Sequence, residues 1–177
     1  MKLYYLKLAL LLFGCITFTA CSKEDTISPA QIQGKWNVES SSASFQLKGS
    51  EPKTSDEDLR NAGIYFEFFE NGKYTTNASI GVDNIAKGNG TIYNGNYSIT
   101  NGKISLAFID SDLGALVRFT FSPQFKGNDL TITLTKEALV SDIAAMKGTI
   151  NAFEEMVLQA LASSVEQFRF SIAMTKA

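Results

Sequence analysis

The residues best suited to chemistry are two thiols, Cys15 and Cys21, and the chain has no histidine to activate them. A thiol or hydroxyl nucleophile needs a neighbouring base, and imidazole is the usual one. Its absence excludes a Ser-His-Asp triad, a Cys-His pair and any His-ligated metal. Two cysteines cannot build a four-cysteine zinc site. The carboxylates do not converge either. Glu154 and Glu155 are adjacent, which on a helix sets them about 100° apart. Ser55 to Asp58 is an acidic stretch that reads as a solvated face. Asp110 to Gly114 (DSDLG) resembles the start of a calcium loop but lacks a third acidic ligand and the glutamate at the twelfth position. No metal, no cofactor and no catalytic residue is expected, and no glycine-rich nucleotide motif occurs. With 16 Lys+Arg against 18 Asp+Glu, the net charge of −2 gives no basic footprint for nucleic acid. The chemistry left to a cysteine is modification.

The chain around Cys21 supports that. Lys2 and Lys7 precede an apolar run, Leu8 to Phe18, too short for the roughly 20 residues that span a bilayer. A charged start followed by a short apolar run is the layout of a secretory signal peptide, here residues 1–20. Phe18-Thr19-Ala20-Cys21 resembles the bacterial lipobox, with Phe18 in place of the usual Leu. Ordinary cleavage wants small residues at both −3 and −1, and Phe18 fails at −3. The resemblance implies that Cys21 becomes the lipidated N-terminus and holds the protein on a membrane through its acyl chains. Removing 20 of 177 residues leaves 157, and losing Lys2 and Lys7 takes the charge from −2 to −4. Cys15 goes with the leader, so no intramolecular disulfide can form and stability must come from the core.

Ser22-Lys23-Glu24-Asp25 resembles the export signal of Bacteroidetes-type lipoproteins, which implies an outer-membrane protein facing the cell surface. Residues 21–30 contain Pro29 and few apolar side chains and read as a tether. The folded domain is expected over 31–177.

That domain alternates on a period of two, punctuated by turn pairs. A strand begins at Trp36. Ile64, Phe66 and Phe68 share a face of the next. Asn71-Gly72 signals a type I′ hairpin, and Tyr74 to Ile80 returns. After a Gly/Asn-rich loop at 83–90, Thr91 to Thr100 alternates, with Tyr97 on the apolar face, and Asn101-Gly102 turns. Ile104, Leu106 and Phe108 mark the fifth strand, Val117, Phe119 and Phe121 the sixth, and Pro123 to Asn128 a turn. Leu130, Ile132 and Leu134 mark the seventh strand, and Phe168, Phe170, Ile172 and Met174 the eighth. A helical turn is expected over Ser55 to Asn61, with Ser55 and Asp58 as a capping box and Gly63 as its stop.

Between strands seven and eight the period changes. Leu139, Ile143, Met146, Ile150, Phe153, Val157 and Leu161 recur at three- and four-residue steps. One helix over 137–164 would be about 42 Å long, against a radius of gyration near ~15 Å for a domain of this size. Gly148 is the natural break, so two helices are expected, packed as a lid through Ile143, Met146, Ile150, Phe153 and Val157.

GKWNV, FEFFENGKYTTN, GNYSITNGKISL and LTITLTKE together resemble the small lipocalin-like domains of bacterial lipoproteins, over roughly residues 30 to 177. The resemblance implies a mainly β fold, an eight-stranded antiparallel up-and-down barrel with a helical insert (about 137–164) capping its open end. It also implies that Trp36 plugs the closed end, where lipocalins pack an arginine over the tryptophan; here Lys176 stands at the corresponding place and Arg169 comes too early. Strand parity adds an independent expectation. In an up-and-down barrel, connections alternate between ends. The tight turns at 71–72, 101–102 and 123–128 should therefore share the Trp36 end, and the 137–164 insert should lie at the other.

The inward set is Trp36, Val38, Phe66, Phe68, Tyr97, Ile104, Leu106, Phe119, Phe121, Ile132, Leu134, Phe170, Ile172 and Met174. Arg118 faces outward by alternation. An eight-strand barrel is either filled by such side chains or holds one small ligand. Two non-catalytic readings follow: a binding module for a small hydrophobic ligand, or an accessory surface protein whose outer face binds another protein or a glycan, with a filled barrel.

Overall fold

The structure, a computed structural model, describes residues 27–80, 85–88, 90–110 and 115–177. The leader, Cys21, the Ser22–Asp25 cluster and residues 81–84, 89 and 111–114 of two connections lie outside the described residues.

Helix α1 (Pro29–Ile32) leads into β1 (Gly34–Leu47), which is the spine of the sheet. On one side β1 pairs with β11 (Val165–Lys176) from Trp36↔Lys176 to Leu47↔Val165. On the other side two strands share it. β3 (Tyr65–Phe68) lies opposite Gly34–Asn37, and β2 (Lys53–Asp58) lies opposite Ser40–Phe45. β2 and β3 thus act as one wall position interrupted by a turn. The circuit continues through β4 (Lys73–Thr76), β7 (Tyr93–Thr100), β8 (Lys103–Asp110), β9 (Ala115–Lys126) and β10 (Asp129–Thr135), and β11 closes it on β1. β5 (Ala78–Ile80) and β6 (Ile85–Lys87) form a separate two-stranded ribbon. The architecture is mainly β, a closed eight-strand antiparallel barrel with helices between the last two strands.

Four local expectations are corrected. Ser55 to Asn61 is not a helical turn: β2 runs through Asp58, and a turn follows over 60–63. The backbone groups of Ser40–Phe45 need partners, and β2 supplies them. The Asp58 carboxylate accepts from the Arg60 backbone N–H and from its guanidinium instead of capping a helix. The Asn71-Gly72 turn is not type I′, because Asn71 is not among the residues of positive φ. It is a three-residue connection in which the Phe69 N–H donates to the Lys73 carbonyl (2.9 Å) and Gly72 (φ 76°) takes the left-handed position. Asn101 and Gly102, at φ 50° and 69°, do have the paired positive φ of a type I′ turn.

The return strand breaks at Asn77, whose side chain accepts from the Tyr65 N–H (2.9 Å) and donates to the Gly63 carbonyl (2.9 Å). It occupies the hydrogen bonds that a straight strand would have used. The fourth correction is at Pro123, which lies inside β9 opposite Ile132, so the tight turn shrinks to Gly127-Asn128 between Lys126 and Asp129.

A bulge between Val38 and Ser40 changes the inward parity of β1 from even to odd. Trp36 and Val38 point inward below it, and Ser41, Ala43 and Phe45 above it. The expected ends are as parity requires. At the closed end the Trp36 ring meets Phe125 edge-on at 6.2 Å, and the Lys176 N–H donates to the Asn128 carbonyl. At the open end the Lys48 N–H donates to the Ser164 carbonyl. α1 seals the closed end: Ile32 is buried and its carbonyl accepts from Trp36 Nε1 at 2.6 Å.

The insert forms two helices, α2 (Lys136–Ala145) and α3 (Ala152–Ser164), separated at Gly148 (φ 76°). Thr135 caps α2 by accepting from the Ala138 N–H. Asn151 caps α3 by accepting from the N–H groups of Phe153 and Glu154, and Glu154 accepts from the Asn151 N–H in return.

Candidate functional site at the open end of the barrel

The barrel is filled toward its closed end. Trp36, Phe66, Ile104, Phe121, Leu130, Ile132, Ile172 and Met174 are at most 1 % exposed. Phe68 packs edge-on to Tyr97 at 5.2 Å, and the Tyr97 hydroxyl donates to the Phe69 carbonyl at 2.8 Å. Burial pushes the Tyr97 phenol up, and the Tyr74 phenol up to about 12.

Toward the open end Val117, Leu134, Val165 and Phe170 stay buried, and half-buried apolar groups become more frequent. Ala43, Phe45 and Leu47 on β1, Leu59 and Ala62 after β2, Phe119 on β9, and Ala138 and Leu139 on α2 are only partly buried. Phe108 is half-buried and its ring lies 6.1 Å from that of Phe119. These side chains make an apolar ring at the mouth.

The exposed apolar surface follows the same asymmetry. Ten large apolar side chains are exposed among the described residues, and nine lie at the open end: Ile92, Tyr93, Ile109, Leu116, Val140, Phe153, Met156, Val157 and Leu161. Phe69 alone is at the closed end. Two surface grooves, of about 1240 and 720 Å³, run along the outer wall and are lined by mixed polar side chains such as Gln31, Lys126 and Thr131, or Ser42, Asp56 and Arg60.

α2 completes the wall. Pairing between β9 and β10 ends at Ser122↔Thr133, whereas β10 and β11 stay paired to Thr135↔Arg169. Beyond that point β9 has β8 on one side and α2 on the other. The Asp142 carboxylate accepts from the Thr120 N–H (2.7 Å) and from its hydroxyl (2.8 Å), and Thr120 Oγ1 lies 3.1 Å from Ser105 Oγ. A helical side chain thus satisfies a strand edge that no strand covers. Burial holds the Asp142 carboxyl above its ordinary range, opposed by the Thr120 hydrogen bonds and the charge of Arg118.

Of the residues singled out in the sequence, Trp36, Phe66, Phe68, Tyr97, Leu106, Phe121, Ile132, Phe170 and Ile172 converge in the core, and Phe119 stands half-buried at the mouth. The insert divides. Met146 is buried, Ile143 and Ile150 are half-buried, and Phe153 and Val157 are 69 % and 46 % exposed. Arg118 is exposed, as alternation requires. Asp142, which joins insert to wall, and the Phe45 ring at the mouth were not singled out, and Phe108 was read on the apolar face of its strand but not in the inward set. Asp142 sits on a helix where a charged residue normally marks the solvent side. Phe45 follows the bulge, where alternation changes phase.

Among the described residues no group of three or more His, Cys, Asp or Glu is placed to hold a metal. What the open end offers is apolar contact area. A filled, Trp-plugged closed end and a half-buried apolar mouth define a mainly β barrel consistent with a lipocalin-like fold.

No family model matches the chain, and no curated protein matches it. Among solved structures the chain is similar to a lipocalin-like protein from Bacteroides uniformis ATCC 8492, at 16% identity, covering 58% of this chain and 88% of that one, with a TM-score of 0.31. A score that low carries no weight, and the barrel rests on its own strand order and register.

Proposed function

We propose that this protein is a non-catalytic binding module that takes a small apolar ligand at the open end of its barrel, and that Cys21 anchors it by lipid to the outer membrane, facing the cell surface. One observation supports the ligand reading: nine of the ten exposed large apolar side chains of the described residues lie on elements of the open end, with Ile109 and Leu116 paired on the outer wall, and half-buried apolar groups stand at the same end. Apolar surface gathered at one place marks a binding site more often than scattered single residues do. The filled closed end supports a ligand at the mouth, against Phe45, Phe108 and Phe119, in preference to one deep in the barrel. The lipobox resemblance supports the anchor, and five residues lie between Cys21 and Ile27 at the closed end. The mouth would then point away from the membrane that holds the protein.

Titration of the full chain with the fluorescent apolar probe N-phenylnaphthylamine tests this. Saturable enhancement is expected, weakened at least tenfold by Phe119→Asp and unaffected by substitutions at the closed end. Absence of saturable binding, or equal loss from changes at both ends, would overturn it.

A further inference from the structure

One strand edge is left open. β3 passes the sheet on to β4, but β2, on the same flank of β1, ends the strand order and pairs with β1 alone among the described residues. The Leu59 N–H donates to the Glu39 carbonyl at 2.8 Å, which fixes the parity of the segment. Odd-numbered residues of β2 turn their backbone groups toward β1, and Thr54, Asp56 and Asp58 turn theirs to the open side. Among the described residues no other backbone takes up the groups of these three. An unpaired strand edge is a template for a further strand.

Charge decides which strand fits. β2 reads Lys53-Thr54-Ser55-Asp56-Glu57-Asp58. Asp58 is already paired with Arg60. Lys53 and Glu57 stand on one face, two residues either side of Ser55, and neither has an ion-pair partner among the described residues. An antiparallel pair of identical strands related by a two-fold axis sets residues of the same face opposite each other, so the axis passes through a residue. On any charged residue of β2 it opposes like charges, and on Thr54 it opposes Glu57 with Glu51. On Ser55 it opposes Lys53 with Glu57 twice and Thr54 with Asp56 twice, with no like charges opposite. That register also makes Thr54 and Asp56, whose backbone groups face the open side, the hydrogen-bonded pairs.

We infer that the open edge of β2 takes β2 of a second copy of this chain, in an antiparallel pair centred on Ser55, so that two barrels share one continuous sheet. A single six-residue edge is small beside the area that a permanent dimer buries, so the pairing is reversible and rises with concentration.

Disulfide trapping tests the register. In the full chain carrying Cys15→Ser and Cys21→Ser, Ser55→Cys sets its thiol against that of the second copy on a non-hydrogen-bonded pair, about 4.5 Å apart at Cα, within reach of a disulfide. Copper-phenanthroline oxidation is expected to convert it to a covalent dimer at least tenfold faster than Asp56→Cys, which lies opposite Thr54 of the second copy. Lys53→Glu should slow trapping of Ser55→Cys at least fivefold, Glu57→Lys likewise, and the two together should restore it, each rate being corrected for the reactivity of that thiol toward a small disulfide. These side chains are exposed or half-buried, so the variants are expected to keep the wild-type fold. Equal or no trapping at the two positions, or no rescue by the charge exchange, would overturn the pairing. So would sedimentation of a monomer at every concentration.

Discussion

The Lys176 ammonium lies over the Trp36 ring, 5.3 Å from its centroid, and the two residues are cross-strand partners of β11 and β1. A lysine ammonium thus covers the face of the plugging tryptophan. Trp36 is held from three sides: Lys176 above, Phe125 at its edge, and the Ile32 carbonyl on its indole N–H. It joins first strand, last strand and α1 at the end where the sheet must close.

Removing that plug should be costly. Trp36→Ala is expected to destabilise by about 3–5 kcal/mol in denaturant unfolding, the range for a large buried aromatic. Lys176→Ala should cost only about 0.5–1 kcal/mol, because the ammonium is exposed and the contact is cation–π. Trp36 is the sole tryptophan, so its emission reports the site directly. A blue-shifted maximum is expected in the native protein, with changed intensity in Lys176→Ala and wild-type stability in Lys176→Arg. A loss above 3 kcal/mol in Lys176→Ala would show that the lysine does more than cover the ring.

Asp142 allows a test that separates hydrogen bonding from charge. Asp142→Ala leaves the Thr120 N–H without its partner and should cost about 1–3 kcal/mol. Asp142→Asn keeps an acceptor for that N–H and should cost less. The pH dependence has a definite sign. Burial raises the folded-state pKa above 3.8, so the stability this group contributes is fully present below 3.8 and is lost as pH rises through the raised value. The stability of the wild type minus that of Asp142→Asn should therefore increase on acidification toward 3.8. A difference that stays flat or decreases would contradict the buried carboxylate.

Tyr74 lies across Gly95, its partner on β7, and a methyl group there would stand 2.4 Å from Tyr74 Cε1 and 2.5 Å from the Ala107 carbonyl. Gly95→Ala must push aside both a buried ring and a strand, and should cost about 1–3 kcal/mol or more. The same burial sets the alkaline limit. The Tyr74 phenol titrates at about 12 in the fold against 10 when exposed, so its contribution is complete below pH 10 and lost as pH rises to 12. Absorbance at alkaline pH should show Tyr74 ionising only as the fold is lost, a step absent in Tyr74→Phe, and in Gly95→Ala that step should move to lower pH.

Much of this was legible from period alone. Alternating apolar residues in β7 to β11 gave strands with the correct inward faces, and the helical period gave the insert with its break at Gly148. Alternation failed where backbone geometry intervened. The bulge after Val38 inverted the parity of β1 and hid Phe45. The Asn77 side chain replaced strand hydrogen bonds and split a strand in two. β2 looked like the start of a capped helix because Ser55 and Asp58 have capping-box spacing and Gly63 follows as a stop; what makes it a strand is the unpaired edge of β1, a demand its own residues do not encode. The mouth was illegible for a similar reason: partial burial is a property of the assembled barrel, and α3 has the same kind of periodic pattern as a buried helix.

The anchor is the reading furthest from the barrel and the simplest to test. If Cys21 carries the acyl chains, Cys21→Ser should abolish incorporation of labelled palmitate and release the protein or strand it with its leader uncleaved. Cys15→Ser should do neither, because that residue leaves with the leader. The barrel should be indifferent to both changes, since its core begins at Ile32 and no cysteine lies beyond residue 21. Thermal unfolding of the released Cys21→Ser protein should therefore match that of the anchored form in detergent. Unchanged palmitate labelling in Cys21→Ser would remove the anchor, and with it the argument that the mouth faces away from a membrane, while leaving the apolar mouth and its probe binding to stand by themselves.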